Sequence, residues 1–259
     1  MDLATYTRDA DRIGSHAAIV LIPAFPFDHR MWEAVAKRFD GIPVIAVDAP
    51  GFGDSPQSSD YPSLEVYADY IAQAVQSQGV SRILACGCSL GGYTAMALVE
   101  RYPKLVAGLA LVGTHAGYDD FKTRAIRTEM AIEALVGRSH DKLKDAVSTQ
   151  VGDTTVEEHP EIISMLKSWI DDASDDGIAW AQRAMASRPG RLDVLSRCGV
   201  PAIVMRGEQD KIVTASQAEE MAQRLAVGVR NVPRAGHLIP VEAPAAVARA
   251  ILGLYPQCF

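Results

Sequence analysis

The chain has 259 residues, 48% of them apolar and 22% charged, which is enough apolar content to bury a large core. Its net charge is −7 and Lys and Arg never form a dense run, so a nucleic-acid partner is not expected. No apolar stretch approaches the roughly 20 residues of a membrane span, and Met1-Asp2-Leu3-Ala4-Thr5 lacks the basic start and apolar block of a signal peptide; a cytoplasmic protein with no membrane partner is the expectation.

In chain order, Leu3 to Thr7 is the one candidate strand before a run of β-branched segments, so an opening hairpin is expected to be truncated. Ala17 to Ile22, Val44 to Val47, Arg82 to Cys86, Leu109 to Val112 and Ala202 to Met205 follow, and most are continuously apolar. Such runs fit strands covered on both faces, as in a parallel sheet. Helical patterns lie between them at Trp32 to Phe39, Leu64 to Gln78 and Leu90 to Arg101. Ser63 is placed as the N-cap of the second, with Glu65 in its first turn. The alternation predicts an α/β fold with a mostly parallel sheet and helices on both faces.

After Thr114 the alternation stops. Helical patterns alone occupy Phe121 to Val136, Lys142 to Val151, Glu161 to Asp171 and Gly177 to Ala186, and strands resume at Val200. Residues 1–116 and 191–259 are therefore assigned to the core and 117–190 to a helical insertion. That insertion holds 14 acidic and 9 basic side chains between His115 and Gly190, most of the chain's negative excess, as a solvated outer face would. The four cysteines, Cys86, Cys88, Cys198 and Cys258, show no CxxC spacing, and Cys86 and Cys88, two apart on one strand face, read as small buried hydrophobes.

The strongest chemical signal is Gly87-Cys88-Ser89-Leu90-Gly91-Gly92, set between a strand and a helix. A serine on so sharp a turn has strained backbone angles, and neighbouring chains pass close enough that the residues two before and two after must lack side chains. Its hydroxyl then stands beside a helix N-terminus whose free N–H groups favour developing negative charge. Serine needs a base, and the base needs an orienting acid, in the chain order serine, acid, histidine. Asp210 follows the Ala202 strand, with Glu208 as runner-up and Asp119 a distant third. His237 lies 27 residues beyond Asp210, past a last strand at Val229 to Val232. His16, His29, His140 and His159 are weaker candidates, and His115 is a candidate lining residue.

Together with Asp48-Ala49-Pro50-Gly51-Phe52-Gly53-Asp54-Ser55, Gly207-Glu208-Gln209-Asp210 and Ala235-Gly236-His237, this segment resembles the α/β-hydrolase superfamily, closest to small carboxylesterase-like, enol-lactonase-like and haloperoxidase-like members. Met185-Ala186-Ser187-Arg188-Pro189 is similar to that group as well. The resemblance implies a Ser89–Asp210–His237 triad, a helical cap between sheet strands six and seven, and no metal or organic cofactor. It implies oxyanion donors at the N–H groups of Phe25 and Leu90, although Pro23-Ala24-Phe25-Pro26 stands where relatives carry His-Gly and an apolar residue. Serine at position 89 argues against dehalogenase and epoxide hydrolase chemistry, which uses aspartate there.

The expected activity is cleavage of a small carboxylic ester or lactone through an acyl-enzyme, in a monomer or homodimer. Two rivals stay open: a C–C bond hydrolase or lyase on the same triad, and a hydrolase-derived binding protein with little turnover. Phe25, Tyr93, His115 and Trp180 are candidate substrate contacts, with Met130 and Met185 weaker. Arg127, Arg183 and Arg188 could meet a substrate carboxylate, although a surface position is the commoner fate of arginine.

Overall fold

A computed structural model describes residues 1–9 and 16–259. Seven strands, β1 (Thr5–Arg8), β2 (Ala17–Ile22), β3 (Val44–Val47), β4 (Arg82–Cys88), β5 (Val106–Val112), β6 (Ala202–Gly207) and β7 (Val229–Val232), form one sheet in the order β1-β3-β2-β4-β5-β6-β7. β1 pairs antiparallel with β3, and every other pairing is parallel. Every residue of β2, β3 and β5 is buried, the both-faces burial that their unbroken apolar runs predict.

Helices α1 (Glu33–Ala36), α2 (Leu64–Ser77) and α3 (Leu90–Arg101) cross between the early strands. Ser63 caps α2 as expected, its hydroxyl accepting the Val66 N–H at 3.1 Å. The helix expected from Trp32 to Phe39 is shorter, because the chain first makes a tight 3-10 turn over His29–Trp32.

Between β5 and β6 the chain is entirely helical: α4 (Phe121–Leu135), α5 (His140–Asp145), α6 (Val147–Gln150), α7 (Asp153–Glu158), α8 (Pro160–Asp171), α9 (Asp175–Ser187) and α10 (Leu192–Arg197). The segment expected from Lys142 to Val151 is split at Ala146, whose ψ of −9° makes a tight turn between α5 and α6. The insertion follows the fifth described strand rather than the sixth because only β1 precedes β2 among the described residues. α11 (Ala215–Arg224), α12 (Ile239–Glu242) and α13 (Pro244–Cys258) complete the core. α1 and α13 pack together, and α2 and α3 pack together, and the complete burial of β2, β3 and β5 shows that both faces of the sheet are covered. No helix among the described residues is long and apolar enough to cross a membrane. All four cysteines are free thiols, and Cys86, Cys88 and Cys258 are buried.

This topology places the loops after β2, β4, β6 and β7 at the same edge of the sheet, the carboxyl ends of parallel strands, where α/β sites are built. Phe25, Ser89, Asp210 and His237 sit on those four loops.

Candidate active site

Ser89 leaves β4 with φ 50° and ψ −113° and becomes the N-cap of α3. A non-glycine residue at positive φ is strained, and strain of this kind concentrates at functional sites. The flanking glycines are required by contact. A Cβ on Gly87 would lie 2.1 Å from the Gly91 carbonyl oxygen, and one on Gly91 would lie 2.1 Å from the Ile22 oxygen. The elbow is held from outside as well: the Ser89 N–H donates to the Val112 oxygen at 3.1 Å, and the Thr114 hydroxyl donates to the Ser89 oxygen at 2.9 Å.

His237 is buried, and its Nδ1 stands 3.0 Å from Asp210 Oδ2. The other oxygen of Asp210, Oδ1, accepts the N–H groups of Ile212 at 2.8 Å and Val213 at 2.9 Å. Burial by itself pushes the Asp210 carboxyl up, but the hydrogen bond and charge of His237, aided by those two N–H groups, bring it below the ordinary carboxylate value. Arg206 braces the loop, donating to the Asp210 oxygen at 3.0 Å and the Val213 oxygen at 2.9 Å. Glu208 is exposed and points no bond at the imidazole. Asp119 serves a different role, since Arg188 at 2.7 Å and Arg127 at 2.5 Å both donate to its carboxylate. Ser89 Oγ has no hydrogen-bond partner among the described residues, and nucleophile–base contacts of this kind commonly tighten only in the reacting complex.

The N–H groups of Leu90, at the start of α3, and of Phe25 have no acceptor among the described residues. The Phe25 ring packs edge-on against Phe52 at 6.2 Å, and the neighbouring Ala24 and Phe27 are buried, so the loop after β2 is anchored on both sides of Phe25. With a tetrahedral phosphonate on Ser89, the phosphoryl oxygen should lie within about 3.2 Å of both the Phe25 and Leu90 nitrogens. A crystal structure of that adduct with the oxygen out of reach of Phe25 would remove it from the hole; a site lacking one donor would forfeit roughly 3–4 kcal/mol of transition-state stabilisation.

Beside the elbow, Tyr93 and His115 meet edge to face at 5.3 Å and line a cavity of about 310 Å³ with Asp119, Arg127 and Ile212. Burial, followed by the Arg188 charge, pushes His115 down to about 4, so it is neutral at pH 7. Its Nε2 stands 3.2 Å from an Arg188 nitrogen, a donor only, which assigns the remaining proton to Nδ1. Arg188 itself is buried, with its guanidinium 4.0 Å above the Tyr93 ring. The surface position expected for it is therefore wrong: Asp119 and the Tyr93 face replace water around the charge. Arg183 is exposed, as expected of arginine. Trp180 lines a different cavity from Tyr93 and His115. Its indole N–H donates to the Asp60 oxygen at 3.3 Å, and it lines a separate cavity of about 320 Å³ with Ser58, Asp176 and Arg183. Met185 is buried with its sulfur 3.3 Å from Arg127 Nη1, while Met130 is partly buried against the core.

One group of metal-ligand type occurs among the described residues, Asp28, His29 and Asp48. Its oxygens already accept from Arg30, His29 and the Asp54 N–H, and a Cβ on Gly53 would lie 2.0 Å from Asp48 Oδ2. This set shapes the Asp48–Ser55 loop.

The model of the alpha/beta hydrolase family matches residues 19–250. The chain belongs to this family. It is similar in structure to a thermophilic esterase from Thermogutta terrifontis, with 29% identity, a TM-score of 0.91, and 99% of this chain and 93% of that chain covered. In sequence it is 27% identical over 237 residues to the 2-succinyl-6-hydroxy-2,4-cyclohexadiene-1-carboxylate synthase of Enterobacter sp. (strain 638), covering 90% of this chain and 89% of the relative. It is 25% identical over 223 residues to 3-oxoadipate enol-lactonase 2 of Acinetobacter baylyi, covering 85% and 82%.

Sequence reading missed three residues at this alpha/beta hydrolase site: Gln209, Thr154 and Glu242. They tie the acid and histidine loops to the helical insertion over separations of 55 and 87 to 90 residues. No local motif marks such long-range bonds.

Proposed function

We propose that this chain is a serine hydrolase that cleaves small carboxylic esters or lactones through an acyl-enzyme on Ser89. The observation that carries this reading is convergence at one sheet edge: the strained elbow serine, the buried His237–Asp210 pair at 3.0 Å, and two N–H groups without acceptors. His237 takes the Ser89 proton as the oxygen attacks the carbonyl carbon. Asp210 fixes the imidazole tautomer and stabilises its cationic form, while the Leu90 and Phe25 N–H groups receive the oxyanion. The alcohol leaves with the proton from His237, which then activates water to release the acid. The similarity to the Thermogutta esterase and the Acinetobacter lactonase supports an acyl-transfer substrate.

In this reading residues 117–190 act as a cap that selects substrates, with Tyr93 and His115 as its floor. Exchanging the α4 and α9 helices for those of an esterase relative should change the ratio of kcat/KM between two acyl lengths about tenfold, a difference of roughly one methylene's binding. A small phosphonate should still label Ser89 in that chimera, and loss of labelling in a folded chimera would contradict the division.

The function is tested by turnover of esters of graded acyl length, lactones and thioesters beside a β-diketone. Faster cleavage of an ester or lactone supports the proposal. Faster turnover of the β-diketone would favour C–C bond hydrolase or lyase chemistry on the same residues.

A further inference from the structure

We infer that Glu242 and the cap segment 150–155 position His237, so that the insertion is part of the support of the triad as well as a cover over it. The inference rests on the reading of His237 as the catalytic base. β7 ends at Val232, so the backbone that carries His237 lies outside the sheet and must be held by other bonds. Those bonds come from the cap. The N–H groups of His237 and Leu238 both donate to the Gln150 oxygen, at 3.1 and 3.2 Å.

Glu242 closes the arrangement. Its Oε2 accepts the Gly236 N–H at 3.0 Å, the Gly152 N–H at 2.7 Å and the Thr155 hydroxyl at 2.7 Å. One carboxylate oxygen thus joins the residue before His237 to two residues of the cap by charge-assisted bonds, roughly twice as strong as neutral ones. The acid loop is tied to the same segment. Gln209, next to Asp210, accepts the Thr154 N–H at 3.0 Å and donates to the Thr154 hydroxyl at 3.0 Å.

The three backbones touch. A Cβ on Gly236 would lie 2.2 Å from the Gly152 nitrogen, and one on Gly207 would lie 2.0 Å from the Gly236 oxygen. A Cβ on Gly152 would lie 2.4 Å from Gln209 Oε1. Glycine at all three positions is what lets the acid loop, the histidine loop and the cap meet at backbone distance. A shift of segment 150–155 therefore moves both triad loops, and a misplacement of about 1 Å can cost about a hundredfold in rate.

Glu242→Ala tests the inference, with p-nitrophenyl acetate and a small phosphonate as probes. We expect kcat and the phosphonate labelling rate to fall about 10- to 100-fold with KM within about twofold, the pattern of misplaced machinery rather than lost substrate binding. The far-downfield proton resonance of the His237–Asp210 hydrogen bond should broaden or move. Glu242→Gln, which keeps a carbonyl acceptor, should recover part of the rate. Thr154→Val with Thr155→Val leaves Glu242 in place and removes only the cap hydroxyls; it should lose rate in the same direction by less. A general structural role would lower Tm in these variants and leave kcat and the resonance alone. That outcome in Glu242→Ala, or in the double variant where Glu242→Ala does not fold, overturns the inference. Wild type and Ser89→Ala run in parallel: absent labelling of wild type, or full turnover by Ser89→Ala, overturns the hydrolase reading and this inference with it, by a result separate from any Glu242 effect.

Discussion

Ser89→Ala is expected to abolish phosphonate labelling and to lower ester turnover by about six orders of magnitude, the loss that follows removal of a triad serine. The fold should survive the change. Ser89 Oγ bonds nothing among the described residues, so its removal leaves no buried partner unpaired. Alanine keeps the Cβ, and the backbone at φ 50° is held by its own bonds, the N–H to the Val112 oxygen and the carbonyl oxygen to the Thr114 hydroxyl, rather than by the side-chain hydroxyl. The Phe25 and Leu90 N–H groups, the proposed oxyanion donors, remain, so residual turnover above the uncatalysed rate is expected. Circular dichroism and Tm near wild type, with turnover lost, is the predicted combination. Full turnover in this variant would remove Ser89 from the chemistry and the proposed mechanism with it.

The elbow was legible because its physics is local. Gly87, Ser89 and Gly91 lie within five residues, and the demand for bare Cα positions around a strained serine shows in their spacing alone. Asp210 and His237 were legible because strand ends and chain order place them, and the parallel sheet brings those ends to one edge. The helical insertion was legible as a stop in the strand–helix alternation. Trp180 was not. On sequence it is an aromatic residue in a helix of the insertion, and only the packing of α9 against the Ser58–Asp60 loop aims its ring at a different cavity. Arg188 was misplaced for a related reason. Its burial depends on Asp119, 69 residues away, and on the Tyr93 ring, and neither pairing leaves a pattern in the chain. Glu242 follows His237 by five residues on a short helix and reads as an ordinary surface carboxylate until Gly152 and Thr155 of the insertion donate to it.

Asp210→Asn should lower kcat by about four orders of magnitude, whereas Glu208→Gln should leave it within about twofold. The geometry explains why an isosteric change costs so much. Oδ1 of Asp210 accepts two backbone N–H groups, from Ile212 and Val213, and Oδ2 faces His237 Nδ1. An asparagine has one oxygen and one NH2 group to divide between those sides. Turning its NH2 toward Ile212 and Val213 would set donors against donors in a buried loop. The amide oxygen must therefore serve the backbone, and the NH2 must face the imidazole. His237 then has to accept at Nδ1 and carry its proton on Nε2, the nitrogen that must be free to take the Ser89 proton. Fold and site shape persist while the tautomer is wrong. The pH dependence of stability should change as well. Because the carboxyl of Asp210 is held below its ordinary value of about 3.9, its contribution to stability is complete above that pH and is lost as pH falls through the lower folded value. Asp210→Asn lacks this titration, so the difference in Tm between variant and wild type should shrink below about pH 4. Glu208 is exposed and makes no bond to His237. Steady-state kinetics of the two variants decide the assignment, since a large loss in Glu208→Gln with a mild one in Asp210→Asn would transfer the orienting role to Glu208.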